Sequence, residues 1–168
     1  ISAGATTGTV NFTPTDDSIY EGNETATIAI SSVSGGSATE SGSQSKTITI
    51  TDNESAPTVT LATSATSIAE NAGTSLTLTA TLSVATTADV TVALSTSGTA
   101  TEGTDYTDGS GSIDDIVISA GSTTGTVSFT PTDDSIYDAT SNETATIDIS
   151  SVSGGSATED GTQNVTIT

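Results

Sequence analysis

The 168-residue chain carries 21 acidic residues against one basic residue, which gives a formal net charge of −20. This charge argues against nucleic acid or an anionic membrane as a partner, because both attract Lys and Arg, and no apolar run is long enough to span a bilayer. The absence of Cys and His excludes disulfides, zinc or copper sites of the usual kind and His-dependent catalysis.

A long internal repeat organises the chain. Residues 1–20 recur, with two changes, as residues 118–137, and residues 23–42 reappear nearly unchanged as residues 142–161. A repeat of this length corresponds to a whole domain rather than to one turn of a solenoid. We therefore predict that residues 1–53 are the C-terminal half of one repeat and that residues 54–168 are a nearly complete second repeat.

The complete repeat has the pattern of a β-sandwich. Apolar residues alternate with Thr and Ser in short segments that are separated by Gly, Asp and Ser turns, which is typical of half-buried strands. Seven such segments predict an immunoglobulin-like seven-strand sandwich: residues 58–63, 74–83, 89–95, 116–119, 124–130, 142–151 and 164–168. The fifth is expected to stop before Pro131, which cannot donate a hydrogen bond to a sheet.

Two acidic turns follow the fifth-strand sequence in the two copies. Residues 14–24 and residues 131–143 each contain four carboxylates, with almost no basic residue in the chain to neutralise them. Like charges a few ångströms apart repel by about 1 kcal/mol per pair in water. Carboxylate oxygens suit a hard cation, so the turns predict a metal site with Ca²⁺ as the first candidate. The alternative is a solvated turn, in which Asp and Asn form local hydrogen bonds.

Four motifs stand out in the chain: SIAENAG (67–73), GTATEGTDY (98–106), DDSIY (16–20 and 133–137) and ITDNE (50–54). They resemble the Calx-beta domain family, whose repeats are abundant in large bacterial surface proteins and form extender regions in RTX adhesins. The resemblance covers essentially the whole chain, and it implies a seven-strand sandwich with calcium at one tip, next to the following domain.

The resemblance also implies a set of calcium ligands. In the complete repeat these are Glu70, Asp105, Asp133, Asp134, the carbonyl of Ile136, Asp138 and Glu143. In the half repeat they are Asp16, Asp17, the carbonyl of Ile19, Glu21 and Glu24, and the tail motif adds Asp52, Asn53 and Glu54. Ser18 and Ser135 interrupt the family's run of three acids, which implies fewer or weaker ions. The acidic linker that contains the tail motif is expected to reach back to the acidic turn.

We expect a calcium-stabilised spacer of a long extracellular adhesin or filament on a bacterial cell surface, and not an enzyme. Near-identical repeats suit a chain whose role is length, and calcium is expected to stiffen the junctions between domains. The expected partners are neighbouring repeats of the same chain and, in a filament or biofilm, other copies. Two alternatives are a calcium-sensing regulatory domain, which needs a bistable element, and a module that binds sugars or another ligand.

Overall fold

A computed structural model describes residues 1–135 and 142–168 and is all-β. The alternation of β-branched and small polar residues produces the following strands: β1 (Ile19–Tyr20), β2 (Glu24–Ala29), β3 (Ser45–Ile50), β4 (Thr58–Thr63), β5 (Leu76–Leu82), β6 (Ala85–Thr86), β7 (Val90–Gly98), β8 (Tyr106–Thr107), β9 (Ile116–Ile118), β10 (Thr124–Pro131), β11 (Ala145–Ser153), β12 (Thr158–Glu159) and β13 (Asn164–Ile167). One 3₁₀ turn, Glu70–Ala72, follows β4. Within the described ranges no helix is long and apolar enough to cross a membrane.

The chain divides into two units. The first comprises Ile1–Ser18 and Asn23–Thr51, and the second comprises Ile19–Gly22 and Asp52–Thr168. The short segment Ile19–Gly22 therefore belongs to the second unit, although the residues on both sides of it belong to the first. The predicted boundary at residue 53 stays a prediction.

The second unit contains the two sheets of a sandwich. One has the strand order β12-β4-β5-β10-β8 and the other has the order β13-β11-β7-β9. Most neighbours are antiparallel, and the β11–β7 ladder is the longest, with a bulge between Ile149 and Ser151. The short β1 adds to β6 as a separate parallel pair.

The core of the second unit lies between these sheets. Alternation along β5 buries Leu76, Leu78, Ala80 and Leu82 and directs the intervening Thr residues away from the core. The aromatic contribution comes from one pair, because the rings of Tyr106 and Phe129 stack with their centroids 4.6 Å apart. Such a pair adds about 0.5–1.5 kcal/mol beyond the burial of its area.

The seven predicted strands are all present in the second unit, as β4, β5, β7, β9, β10, β11 and β13. The prediction that the fifth strand stops before Pro131 is wrong, because Pro131 is the last residue of β10 and pairs with Tyr106 of β8. Proline lacks a donor but keeps its carbonyl acceptor, so it can close a strand at its end. The two-residue strands β6, β8 and β12 were not predicted.

The first unit contains one hairpin, β2–β3. The first unit also contains the segment TGTVNFTP (7–14), which differs from β10 at one position, Asn11 against Ser128. This segment does not form a strand. In the second unit β10 has β5 and β8 as ladder partners. Because a strand is stabilised by its cross-strand neighbours, nearly the same sequence forms a strand in the unit where β5 and β8 pair with it and no strand in the other.

Candidate functional site

Two predicted ligands of the complete repeat, Glu70 and Asp134, are joined by a hydrogen bond where the chain leaves β10. Glu70 lies in the 3₁₀ turn after β4, and its carboxylate accepts a hydrogen bond of 3.0 Å from the backbone N–H of Asp134. Both residues are exposed, and they are separated by 64 positions in the sequence. The fold therefore brings together two residues that the resemblance names as ligands.

Asp105 contacts the chain segment that follows β10. Its carbonyl accepts the N–H of Thr132 at 2.9 Å, and its carboxylate accepts the N–H of Thr101 at 2.6 Å. The segment that leads from β10 into Asp133 and Asp134 is thus held by the Asp105 loop and by the Glu70 turn. We call these three segments the acidic end of the second unit.

The turn of the half repeat contributes to the second unit through β1. Ile19 and Tyr20 pair in parallel with Ala85 and Thr86 of β6. The turn then bends at Gly22, whose φ of 75° is a left-handed conformation that glycine adopts without steric cost. A residue pair from the repeated acidic turn is therefore built into the sheet structure of the following sandwich.

Asp52 holds this turn with its side chain. Its Oδ2 accepts the backbone N–H groups of Glu21 at 2.8 Å and Gly22 at 2.6 Å, and its Oδ1 accepts the N–H of Glu54 at 3.1 Å. Desolvation raises the pKa of this half-buried carboxyl, but the N–H donors of Glu54, Glu21 and Gly22 outweigh it and lower the pKa to about 2. The expectation that the acidic linker reaches back to the turn is confirmed, with backbone N–H groups as its partners.

The remaining predicted ligands fall into three groups. Those exposed in the first unit are Asp16, Asp17 and Glu24, the last being the first residue of β2. Those in the second unit are the half-buried Ile19, Glu54 and Glu143 and the exposed Glu21, Asn53 and Asp133. Ile136 and Asp138 lie outside the described residues.

The predicted ligands have the right chemistry for calcium, but those that the structure describes are not positioned as a calcium site. All are carboxylate, amide or carbonyl oxygens, which are the ligands that a hard cation prefers. Within residues 1–135 and 142–168, however, no three acidic side chains converge into a group that could hold a metal ion. The assignment of these residues as ligands therefore stays a prediction.

Several carboxylates that the sequence did not single out have structural roles. Glu102 is half-buried and accepts the N–H of Ile113 at 2.5 Å and the hydroxyl of Thr96 at 2.8 Å, so it joins three segments of the sandwich. Asp108 caps its own turn, and hydrogen bonds, first from the backbone of Ser110, lower its pKa. Besides the hydroxyls of Thr96 and Ser110, the donors of these bonds are backbone N–H groups, which leave no signature in the side-chain sequence.

Further acids outside the predicted ligand set also accept backbone hydrogen bonds. Asp89 accepts from the N–H of Ala120 at 2.8 Å, and Asp115 accepts from that of Leu94 at 3.3 Å. Negative charge in this chain is therefore compensated in part by backbone donors, because the sequence has one basic side chain, Lys46.

These observations define an immunoglobulin-like β-sandwich module whose exposed acidic loops gather at one end of the second unit. The model of the Calx-beta domain family matches residues 2–54 and residues 52–168. The two matches together cover nearly the whole chain, so the chain belongs to the Calx-beta domain family. The comparison with curated proteins gave no match.

Membership of this family fixes the function at a coarse level. The Calx-beta domain is a calcium-associated β-sandwich module, it acts as a non-catalytic binding or structural domain, and it occurs in extracellular regions. The first match includes Ile19–Gly22, which are part of the second unit.

Proposed function

We propose that this chain is a structural spacer from a long extracellular adhesin or filament on a bacterial cell surface. In this proposal calcium binds at the acidic ends of successive sandwiches and stiffens the tandem array. The proposal is narrower than the family's function, and it rests on how the repeat is built.

The observation that carries the proposal is that both copies keep the same local framework. The hairpin β2–β3 has the register of β11–β13, since Ala26 pairs with Ile48 as Ala145 pairs with Ile167. The two repeats thus copy one scaffold. Among the described residues that the two copies share, neither copy has a site that the other lacks. Repetition without divergence suits a part whose contribution is length.

The donor set at the acidic end supports calcium as the stabilising ion. Glu70, Asp133, Asp134 and Glu143 would hold it in the complete repeat, all through oxygen. Extracellular modules bind calcium with Kd values of about 10⁻⁴–10⁻³ M, which suits millimolar external calcium. An ion bound only to the folded state adds about 0.4–1.4 kcal/mol of stability when its concentration is about one to ten times its Kd, as at about 1 mM calcium.

The attachment of β1 supports a stiff link between consecutive repeats. A segment of the first family match, Ile19–Tyr20, forms a ladder with β6, and Asp52 from the end of that match holds the turn in place. A linker tied by backbone hydrogen bonds has less freedom than a solvated one of the same length.

The proposal is tested by calorimetric titration of the whole chain with CaCl₂. We expect saturable binding, and we expect the double variant Asp133→Asn with Asp134→Asn to lose a site or to bind at least about tenfold more weakly, because two carboxylate ligands become neutral amides. The matched control is Asp160→Ser, since the first repeat has Ser41 at this position. It removes one charge beside β12 and should leave binding unchanged.

A tandem of several repeats should also give a longer, narrower distribution of sizes in X-ray scattering with calcium than with EDTA. Absence of binding at millimolar calcium would remove the ion from the proposal. An identical scattering profile in both buffers would remove the stiffening.

A further inference from the structure

The carboxylate of Asp52 is already engaged by backbone donors. Its Oδ2 accepts two N–H groups, from Glu21 and Gly22, and its Oδ1 accepts a third, from Glu54. A carboxylate has about four lone-pair sites, shared equally between its two oxygens. Both sites of Oδ2 are therefore used within the chain, at N···O distances of 2.8 Å and 2.6 Å.

The acidic turn of the half repeat has the right shape to receive this carboxylate. Glu21 and Gly22 are consecutive, and successive backbone N–H groups in a turn form a concavity that binds anions. The Tyr20 hydroxyl lies 3.9 Å from the position that a Cβ on Gly22 would take, so this side chain lies beside the turn. The Asp52 carboxylate thus occupies the place of a bound anion, where a cation would meet the positive ends of the N–H dipoles.

The linker fixes Asp52 from the other side. The bond from the Glu54 N–H to Oδ1 closes a local turn over two residues, as Asp side chains commonly do. Further along the linker, Pro57 is fully buried and its carbonyl accepts the N–H of Thr158 at 3.1 Å. Because β1 also pairs with β6, the segment Ile19–Gly22 is attached to the second unit twice, by bonds that involve no ion.

These bonds disagree with the ligand role that the family resemblance implies for Asp52. Calcium takes about six to eight oxygen ligands, and each must direct a lone pair at the ion. For Oδ2 of Asp52 to do so, the N–H of Glu21 or Gly22 would have to lose its acceptor. An unpaired donor is unfavourable, the more so at the half-buried Gly22. The fold therefore suits Asp52 to hydrogen bonding and does not suit it to calcium.

We propose that Asp52 is a structural clamp and not a calcium ligand, and that it holds Ile19–Gly22 on the second unit whether calcium is present or absent. We call the Asp52 carboxylate with the N–H groups of Glu21, Gly22 and Glu54 the Asp52 clamp. Calcium in the proposed spacer then binds at the acidic end of the second unit. The clamp rests on the fold and not on the spacer function, so either proposal can fail without the other.

The first test measures amide hydrogen exchange by NMR on the whole isotope-labelled chain in EDTA. The amides of Glu21 and Gly22 should be protected in the parent chain, and Asp52→Ala should speed their exchange by at least about tenfold, because it removes their common acceptor. Asp160→Ser is the control, since it removes one charge outside the clamp and should leave both rates unchanged. The amide of Leu78, in the centre of β5, should stay protected in both variants, which shows that the sandwich is folded.

The second test adds CaCl₂ as the probe. The NMR shift of the Asp52 carboxyl carbon should stay constant up to millimolar calcium, and the amides of Glu21 and Gly22 should remain protected. Asp52→Asn keeps one acceptor oxygen for the turn, so its two amides should exchange more slowly than those of Asp52→Ala. In calorimetry, Asp52→Asn should bind calcium with an affinity within about twofold of the parent chain, because no ligand is lost.

Two results would overturn the proposal. One is equal exchange of the Glu21 and Gly22 amides in the parent chain and in Asp52→Ala in EDTA. The other is loss of a calcium site in Asp52→Asn, or a calcium-dependent shift of the Asp52 carboxyl carbon with release of the two amides. If the chain binds no calcium, protection of the two amides in EDTA still supports the clamp, while the spacer proposal loses its ion.

Discussion

Replacing Ile147 with alanine tests whether the sandwich core is stabilised by burial between the two sheets. Ile147 lies in β11 between Thr96 of β7 and Val165 of β13, and its side chain is fully buried. The substitution deletes three carbon groups. Their transfer contributes about 0.8 kcal/mol each, and the cavity left behind raises the expected loss to about 3–4 kcal/mol.

The matched variant is Ile28→Ala, which makes the same chemical change in the same sequence, NETATI, of the half repeat. Ile28 remains substantially exposed, so its loss should change stability by less than about 1 kcal/mol. Sequence-based propensity is nearly identical at the two positions, and burial is the variable that differs.

Urea unfolding followed by far-UV circular dichroism and by tyrosine fluorescence measures both variants. With a urea slope of about 1–3 kcal/mol per molar, a loss of about 3–4 kcal/mol should lower the transition midpoint of the second unit by about 1–4 M in Ile147→Ala. Tyr106 lies in that core and reports on it. Equal midpoint shifts for the two variants would refute the reasoning, because they would mean that covering strands do not determine the loss.

Three further predictions concern single residues. The folded pKa of Asp52 is about 2 against an ordinary 3.8. The stability that Asp52 contributes is therefore complete above the unfolded pKa and is lost as pH falls from 3.8 towards 2. Asp52→Asn should flatten this part of the pH profile, measured by urea unfolding. Glu102→Ala should cost about 1.5–3 kcal/mol by removing the acceptor of the half-buried Ile113 N–H and Thr96 hydroxyl, whereas Glu102→Gln keeps an acceptor and should cost less; thermal unfolding that ranks them equally would contradict this. Gly98→Ala places a Cβ 2.0 Å from the carbonyl oxygen of Thr144 and should cost more than about 3 kcal/mol, whereas Gly103→Ala, with open space, should cost about 1 kcal/mol in the same assay.

The sequence predicted the strands of the complete repeat because alternation over four or more residues is a strong local signal. It missed β6, β8 and β12, since two residues carry no period. It could not show that residues 7–14 lack a ladder, because their sequence differs from that of β10 at one position, Asn11 against Ser128. Partner strands, which are distant in sequence, decide that outcome.

The candidate site was predicted less completely. Motif order placed Glu70 and Asp134 at one site, and the fold brings them into contact. For the clustered carboxylates of the acidic turns, the sequence indicated a bound cation or, alternatively, local hydrogen bonds within a solvated turn. Asp52 instead gains backbone N–H donors from residues 30 and 31 positions away, which no local pattern indicates.

The role of Glu102 as an acceptor was missed for the same reason, because its hydrogen-bond partners are not its neighbours in sequence. A carboxylate that accepts two hydrogen bonds inside a sandwich looks like any surface acid when only its neighbours in sequence are known. By contrast, the expectation that the acidic linker contacts the acidic turn is confirmed by the bonds from Asp52 to Glu21 and Gly22. A short connection limits how far its side chains lie from that turn.

Thermal unfolding of the whole chain in millimolar CaCl₂ and in EDTA tests the central claim, that calcium stabilises this scaffold. For a domain of this size about 1 kcal/mol moves Tm by roughly 2–8 °C, so site occupancy at the expected affinity should raise Tm by several degrees in calcium. The combined Asp133→Asn and Asp134→Asn variant should lose most of that increase, and Asp160→Ser should keep it. Superimposable melting curves for the parent chain in the two buffers would contradict a structural role for the ion.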